Sequence, residues 1–401
     1  MFLAASPYFQ KRFSSDPGIL QVFQSGIISV ATITNLGVLL LMTNLQSSAS
    51  YPFRINTALF MSSVVFVLLT ISTSYFLDVS PSVYFAFLLV MVAASSYATG
   101  LLQNGAFAFA ASFGRAEYTQ AIMAGQGVAG VLPSLAGIIS ALSVPDPVVE
   151  LPNGAPSPPS PADSSAAFTY FLTAVIVSAV ALAAFVPLVR RHNRLIGRRL
   201  IGRRLADQLA ESVTSIEEAE RAARHFVSLP TLLRKLHWLA GAVFMCFAVT
   251  MFFPVFTSKI LSVRPPGSGR LFTPSVFIPL GFLMWNAGDL LGRVSTIIPF
   301  SLRRRPSALF VVGLARIAFL PLYMLCNIRG AGAVVSSDLF YLFFVQFLFG
   351  LSNGWLGSNA MMAAGEWVAE GEREATGGFM GLCLVAGLAT GSLLSFTASG
   401  I

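Results

Sequence analysis

The chain has 401 residues, of which 55% are hydrophobic and only 10% charged, with net charge +8 and mean hydropathy +0.75. Soluble globular domains carry roughly 25% charged residues, so a soluble fold is excluded. Its apolar runs are also too long and too continuous for a transmembrane β-barrel, whose strands are segments of about ten alternating residues. Runs of about 20 apolar residues, the length that crosses a bilayer as a helix, predict ten spans. In chain order they cover 19–45, 53–77, 81–112, 119–143, 166–189, 236–260, 275–300, 306–328, 338–364 and 375–399. The expected fold class is an all-α, polytopic membrane protein. Its parts are an N-terminal bundle over 1–189, a basic loop over 190–235 and a C-terminal bundle over 236–401, five spans to each bundle.

The loops carry the charge. Eleven of the 25 Lys and Arg residues fall within Arg190–Lys235, and Arg303, Arg304 and Arg305 form a second cluster. The positive-inside rule places both on the cytoplasmic side. Alternation then brings Arg54, Arg115 and Arg373 to the same side, and leaves Lys11, Arg12, Lys259, Arg264, Arg270 and Arg329 outside. The positive balance therefore reports topology and an anionic inner leaflet, not a nucleic-acid partner. Within the basic loop, Leu195–Arg199 (LIGRR) repeats at once as Leu200–Arg204. The charged continuation ADQLAESVTSIEEAERAARHF fits either an amphipathic helix on the leaflet or a solvated linker. The loop 144–165 is rich in Pro and Ser and reads as an extended surface segment without an N-x-S/T sequon. No secretory signal peptide opens the chain.

Small residues crowd three spans: Ala124, Gly125, Gly127, Ala129 and Gly130; Gly350, Gly354 and Gly357; and Gly377, Gly378, Gly381, Gly387 and Gly391. Such stripes let helix backbones approach closely in lipid. Pro254, Pro279 and Pro321 lie inside spans and should kink or open them. Cys246, Cys326 and Cys383 are scattered within spans and form neither a CxxC nor a disulfide framework. No HExxH, GxSxG, GxxxxGK[ST] or Cys/His cluster is present, so neither enzymatic chemistry nor a metal or cofactor is expected.

The intramembrane polar residues carry the functional signal. Asp289 and Arg293 stand four apart in a stretch whose other residues are uncharged, acid before base on one helix face. Ionisable groups in a span are costly and face a cavity or each other. Asp289 precedes Arg303 by 14 residues, about 21 Å along a helix, which puts it near the bilayer midplane. Secondary transporters place their binding sites there. Asn286 shares that face one turn earlier, and Gln126 sits between glycines in AGQGVAG, open to a neighbour. Asn353 and Arg316 read more simply as helix–helix contacts. From these residues alone, the pair serves equally well as a solute site or as a clamp between helices.

The motifs resemble a family. Glu117–Gly130 (EYTQAIMAGQGVAG) is similar to the helix 4–5 signature of equilibrative nucleoside transporters, and Phe277–Arg293 (FIPLGFLMWNAGDLLGR) to their eighth helix with its Asn-x-x-Asp-x-x-x-Arg. MFFPVFTSK (251–259), LARIAFLPLYMLCN (314–327), LFGLSNGWLG (348–357) and EATGGFMGLCLVAGLATG (374–391) follow in family order. The resemblance implies a major-facilitator-like architecture and facilitated diffusion of nucleosides by alternating access, and leaves nucleobase transport open. It implies that Gln126 binds the nucleobase and that Asp289 and Arg293, supported by Asn286, engage the ribose. Leu388 would line the apolar side. Pro254 and Trp285 would stand at the gate, Trp285 replacing a more usual Phe. The partners implied are a nucleoside and the lipid bilayer, with the protein acting as a monomer. Family members have eleven helices. The opening MFLAASPYF resembles the end of the first, without its Pro-Trp-Asn motif, so the resemblance implies a chain lacking most of that helix. A competing reading is another major facilitator transporter, because Asp289–Arg293 also fits a D-x-x-G-R loop motif. A third is a membrane scaffold that transports nothing. Neither solute preference nor the choice of plasma membrane or endomembrane is legible.

Overall fold

The structure is a computed structural model that describes all residues except 1, 3, 4, 46–49, 76–78, 144–160, 202–226, 266, 299–301 and 396–401. Among the described residues it is helical without strands, apart from an isolated bridge between Ile260 and Ile328. Among the described residues ten helical segments are long and apolar enough to cross a membrane, as the sequence predicts. The chain groups into two compact units, Met1–Phe109 with Val149–Phe226, and Ala110–Val148 with Val227–Ile401. The second unit takes in one span from the N-terminal half of the chain, a departure from the chain-order bundles 1–189 and 236–401.

The first unit holds α1 (Ser6–Arg12), α2 (Pro17–Asn44), α3 (Tyr51–Tyr75), most of α4 (Pro81–Ser112) and α6 (Pro161–Ile201). Asp16 caps α2, its Oδ1 accepting the backbone N–H of Gly18 and Ile19 at 3.0 and 3.1 Å, with Pro17 in the first turn where no N–H is needed. Phe9, Phe13, Phe23, Phe66, Tyr84 and Phe171 form the aromatic heart of its core. At the other end of α2 the buried Arg54 donates to the carbonyls of Met42 (3.1 Å) and Leu45 (2.6 Å) and to Asn104 Oδ1 (2.6 Å). Those carbonyls have no partner within their own helix. The helix α6 is longer at both ends than the span 166–189. It begins at Pro161, inside the Pro/Ser-rich stretch, and carries the first LIGRR copy beyond the membrane-length segment. The continuation 205–225 lies outside the described residues.

The second unit holds α5 (Ala116–Ser143), α7 (Leu229–Thr250), α8 (Phe252–Thr257), α9 (Pro274–Ser295), α10 (Pro306–Ala315), α11 (Phe319–Tyr323), α12 (Leu348–Ala364) and α13 (Arg373–Ser395). The central element is α9, packed against α12 on one side and α5 on another. Glycines decide both contacts. A Cβ on Gly288 or Gly292 would lie 2.2 Å from the carbonyl oxygen of Phe347 or Leu351, and one on Gly350 or Gly354 at 2.0 or 1.9 Å from that of Trp285 or Asp289. The two backbones therefore touch along two helical turns. On the α5 side, Gly130 faces Asn286 and Gly127 faces Leu290 and the Arg293 stem. This fit groups α5 with helices remote from it in the chain.

The prolines act differently from one another. Pro254 cannot donate to Thr250, and the helix breaks at Met251 between α7 and α8. Pro321 follows a 3-10 turn, Arg316–Ala318, and the predicted span 306–328 ends as helix at Tyr323. Pro279 is accommodated within an unbroken α9. Phe340–Phe347 is a π-helix leading into α12, a departure that hydrophobic periodicity does not signal. It buries Gln346, whose amide donates to Thr257 Oγ1 at 2.6 Å and Tyr341 Oη at 2.7 Å and accepts from Tyr323 Oη at 2.9 Å.

Candidate functional site

Asp289 and Arg293 lie inside the second unit, 3% and 5% exposed, too buried for a D-x-x-G-R motif in a surface loop. Arg293 Nε donates to Asp289 Oδ2 at 2.7 Å, the one-turn pair that the spacing predicts. The same guanidinium reaches α5, where Nη1 donates to the Met123 carbonyl at 2.9 Å and to Gln126 Oε1 at 3.1 Å. Gln126 is thus joined to the charged pair from another helix, and Gly127 beside it lets the two backbones come close enough. Asn286 Nδ2 donates to Ser134 Oγ on α5 at 3.0 Å and to the Phe282 carbonyl at 2.8 Å. Gln126, Asn286, Asp289 and Arg293 are therefore gathered on facing sides of α5 and α9.

Their remaining hydrogen-bonding capacity differs. Both carboxylate oxygens of Asp289 are engaged by protein, Oδ2 by Arg293 and Oδ1 by Asn353 Nδ2 at 2.7 Å. By contrast, Arg293 Nη2, Gln126 Nε2 and Asn286 Oδ1 have no hydrogen-bond partner among the described residues. Arg293 and Gln126 therefore each keep a donor and Asn286 an acceptor that lies against Gly130 of α5, while the carboxylate is fully engaged. A guanidinium so placed is preorganised, because its orientation is set before any ligand arrives.

The apolar candidates stand elsewhere in the unit. Trp285, one turn before Asp289, stacks on Phe253 with ring centroids 4.2 Å apart and planes within 10°, and meets the Phe349 edge at 6.3 Å. Its buried Nε1 has no hydrogen-bond partner among the described residues. Phe253 sits beside Pro254, so the stack abuts the α7–α8 break. Leu388 is half-buried on α13, which packs against α7, and forms no part of the polar group.

Asn353, read as a helix–helix contact, is one, and the sequence did not name its partners: it bridges α12 to α9 as the second donor to the Asp289 carboxylate. Thr250 and Cys246 on α7 donate to Asn353 Oδ1 at 2.6 and 3.2 Å, and Arg316 closes on both of them. Their one sequence signal is a polar residue in a span beside small ones, as in SNG.

These features define a class: a multi-pass helical membrane protein in which one unit carries a buried charged pair joined to the more exposed amides of Gln126 and Asn286. The fold matches a solved major facilitator superfamily transporter, FucP, with TM-score 0.50 and 16% identity over 99% of this chain and 96% of that one. The nucleoside transporter family model matches residues 89–399, and the chain belongs to that family. It is 29% identical to the nucleoside transporter FUN26 of Saccharomyces cerevisiae, covering 98% of this chain and 80% of the relative. It is 28% identical to equilibrative nucleoside transporter 1 of Homo sapiens, covering 92% and 81%.

Proposed function

We propose that this chain carries nucleosides across a membrane by facilitated diffusion, through alternating access and without chemical change to the solute. Its family and the names of its relatives support the solute class. One observation carries the site: Gln126 Nε2, Arg293 Nη2 and Asn286 Oδ1 keep hydrogen-bonding capacity free on one wall, while Asp289 spends its own on orienting Arg293. Two donors and an acceptor suit ring nitrogens, carbonyls and hydroxyls, the groups a nucleoside offers. In this reading Gln126 meets the base and Arg293 the ribose, with Asn286 accepting from either. Leu388 gives apolar contact, and Trp285 with Pro254 forms a gate at the α7–α8 break. Asp289 acts as the support of Arg293 and not as the first contact.

Proteoliposomes test it. A labelled nucleoside should enter saturably, equilibrate without concentrating, and be slowed about tenfold or more by Gln126→Ala or Arg293→Ala, the loss expected when a good hydrogen bond to the solute disappears. Absence of flux from the full chain would identify a membrane scaffold. Flux unaffected by both substitutions would move the site elsewhere.

A further inference from the structure

We infer that Arg316 is a positioning residue for this wall, acting on Asp289 through Thr250 and Asn353; the inference rests on the carrier reading above. Arg316 is 2% exposed, in the 3-10 turn between α10 and α11. All its hydrogen bonds go to groups without charge. Nη1 donates to the Cys246 carbonyl at 2.5 Å and to Cys246 Sγ at 3.1 Å, Nη2 to Thr250 Oγ1 at 3.2 Å, and Nε to Ser352 Oγ at 3.2 Å. Its guanidinium lies 4.7 Å over the Phe349 ring. A buried cation whose hydrogen bonds, among the described residues, reach no carboxylate is expensive. Its presence needs an explanation beyond local packing.

The direction of the hydrogen bonds supplies one. A guanidinium can only donate, so Thr250 accepts from Arg316 and has a single proton to give. The Cys246 carbonyl, 2.8 Å away, already takes Arg316 Nη1, which leaves Asn353 Oδ1 at 2.6 Å as the better acceptor. Cys246 Sγ, 3.2 Å from the same oxygen, runs as a parallel branch. With its oxygen occupied, Asn353 must turn its amine to Asp289 Oδ1, 2.7 Å away. Every proton on this path points from Arg316 towards the carboxylate, and Arg293 arrives from the other side at 2.7 Å. Without Arg316 the Cys246 carbonyl loses its guanidinium donor and competes for the Thr250 proton, so Asn353 Oδ1 loses its shorter donor and the amide is held less firmly against the carboxylate. Two guanidiniums thus share one carboxylate, one directly and one through a relay. The relay keeps Asp289 turned to Arg293, and so keeps Arg293 turned to Gln126.

The test uses the full chain in proteoliposomes, comparing wild type with Arg316→Met, Arg316→Lys, Asn353→Leu and the double Arg316→Met/Asn353→Leu. Arg316→Met should raise the nucleoside KM about tenfold with Vmax per inserted protein within about twofold, because what is lost is the setting of the binding wall. Arg316→Lys, which still donates to Thr250, should recover part of that affinity. The double variant should match Asn353→Leu alone, since the relay is already cut. Loss of yield or Vmax at unchanged KM, or multiplied KM effects in the double, would overturn the assignment. No flux from wild type would sink the carrier reading instead, and thermal unfolding would then decide the relay. Arg316→Met and Asp289→Asn should shift the melting temperature non-additively, and additively in an Asn353→Leu background. Additive shifts in both backgrounds overturn it.

Discussion

Asn353 gives its amine to the Asp289 carboxylate at 2.7 Å, and the next residue, Gly354, has no side chain because the Asp289 carbonyl stands 1.9 Å from where its Cβ would be. One pair of adjacent positions on α12 therefore serves both the side chain and the backbone of the same aspartate. This joins the packing of the second unit to its polar wall, and the following outcomes depend on that junction.

Asn353→Leu leaves Asp289 Oδ1 without its donor in a buried site. An orphaned buried acceptor costs about 1–3 kcal/mol, more when it is charged. A fall in the melting temperature of the detergent-purified protein should report this, whereas Asn353→Ser, a smaller group that can still donate, should lose less.

Gly354→Ala places a methyl group against backbone, which cannot swing aside as a side chain can. The helices must separate and the protein should fail to accumulate in the membrane or unfold at markedly lower temperature. Gly125→Ala is the control, since a Cβ there meets nothing within 4 Å. In a helix interior it should be neutral or stabilising by up to about 1 kcal/mol.

Asp289→Asn removes the carboxylate that pairs with the buried Arg293. Breaking a buried pair by deleting one partner costs about 3–5 kcal/mol, because the other charge stays behind. The double variant Asp289→Asn/Arg293→Met should recover part of the stability and none of the uptake. A double variant no more stable than the single would mean that the pair is not a buried charge pair in energetic terms.

Gln346→Leu withdraws the amide that satisfies Tyr323 and Tyr341 beneath the π-helix. About 1–3 kcal/mol is expected for each hydroxyl left unpaired. Gln346→Glu keeps the size and the acceptor for Tyr323 but loses the donors to Thr257 and Tyr341 and buries an ionisable group, so thermal unfolding should show it destabilised as well.

The ten membrane-length helices were legible because each is a long apolar run, and a run of that length has few alternatives. The break at Pro254 was legible for a local reason, the missing N–H. The Asp289–Arg293 bond was legible because four-residue spacing fixes it within one helix. Other features depend on partners distant in the chain. Gln126 meets Arg293 from 167 residues away, Asn353 meets Asp289 from 64, and Arg316 meets Thr250 from 66. No local pattern encodes those meetings. The π-helix Phe340–Phe347 was hidden because a stretch apolar but for Gln346 and the Tyr341 hydroxyl has nearly the same pattern at any helical pitch. The grouping of α5 with α9 lay in Gly127 and Gly130, whose partners composition does not name.

The seam of Gly288, Gly292, Gly350 and Gly354 also sets what can move. Helices separated by side chains can slide as those side chains change rotamer. Where carbonyl lies against Cα there is nothing to reshuffle, so α9 and α12 shift only as one rod. A force that tilts either helix is transmitted to the other without slack, and the spacing from Asn353 to Asp289 to Arg293 survives the tilt. The polar wall is in this sense mounted on a single stiff beam two helices wide.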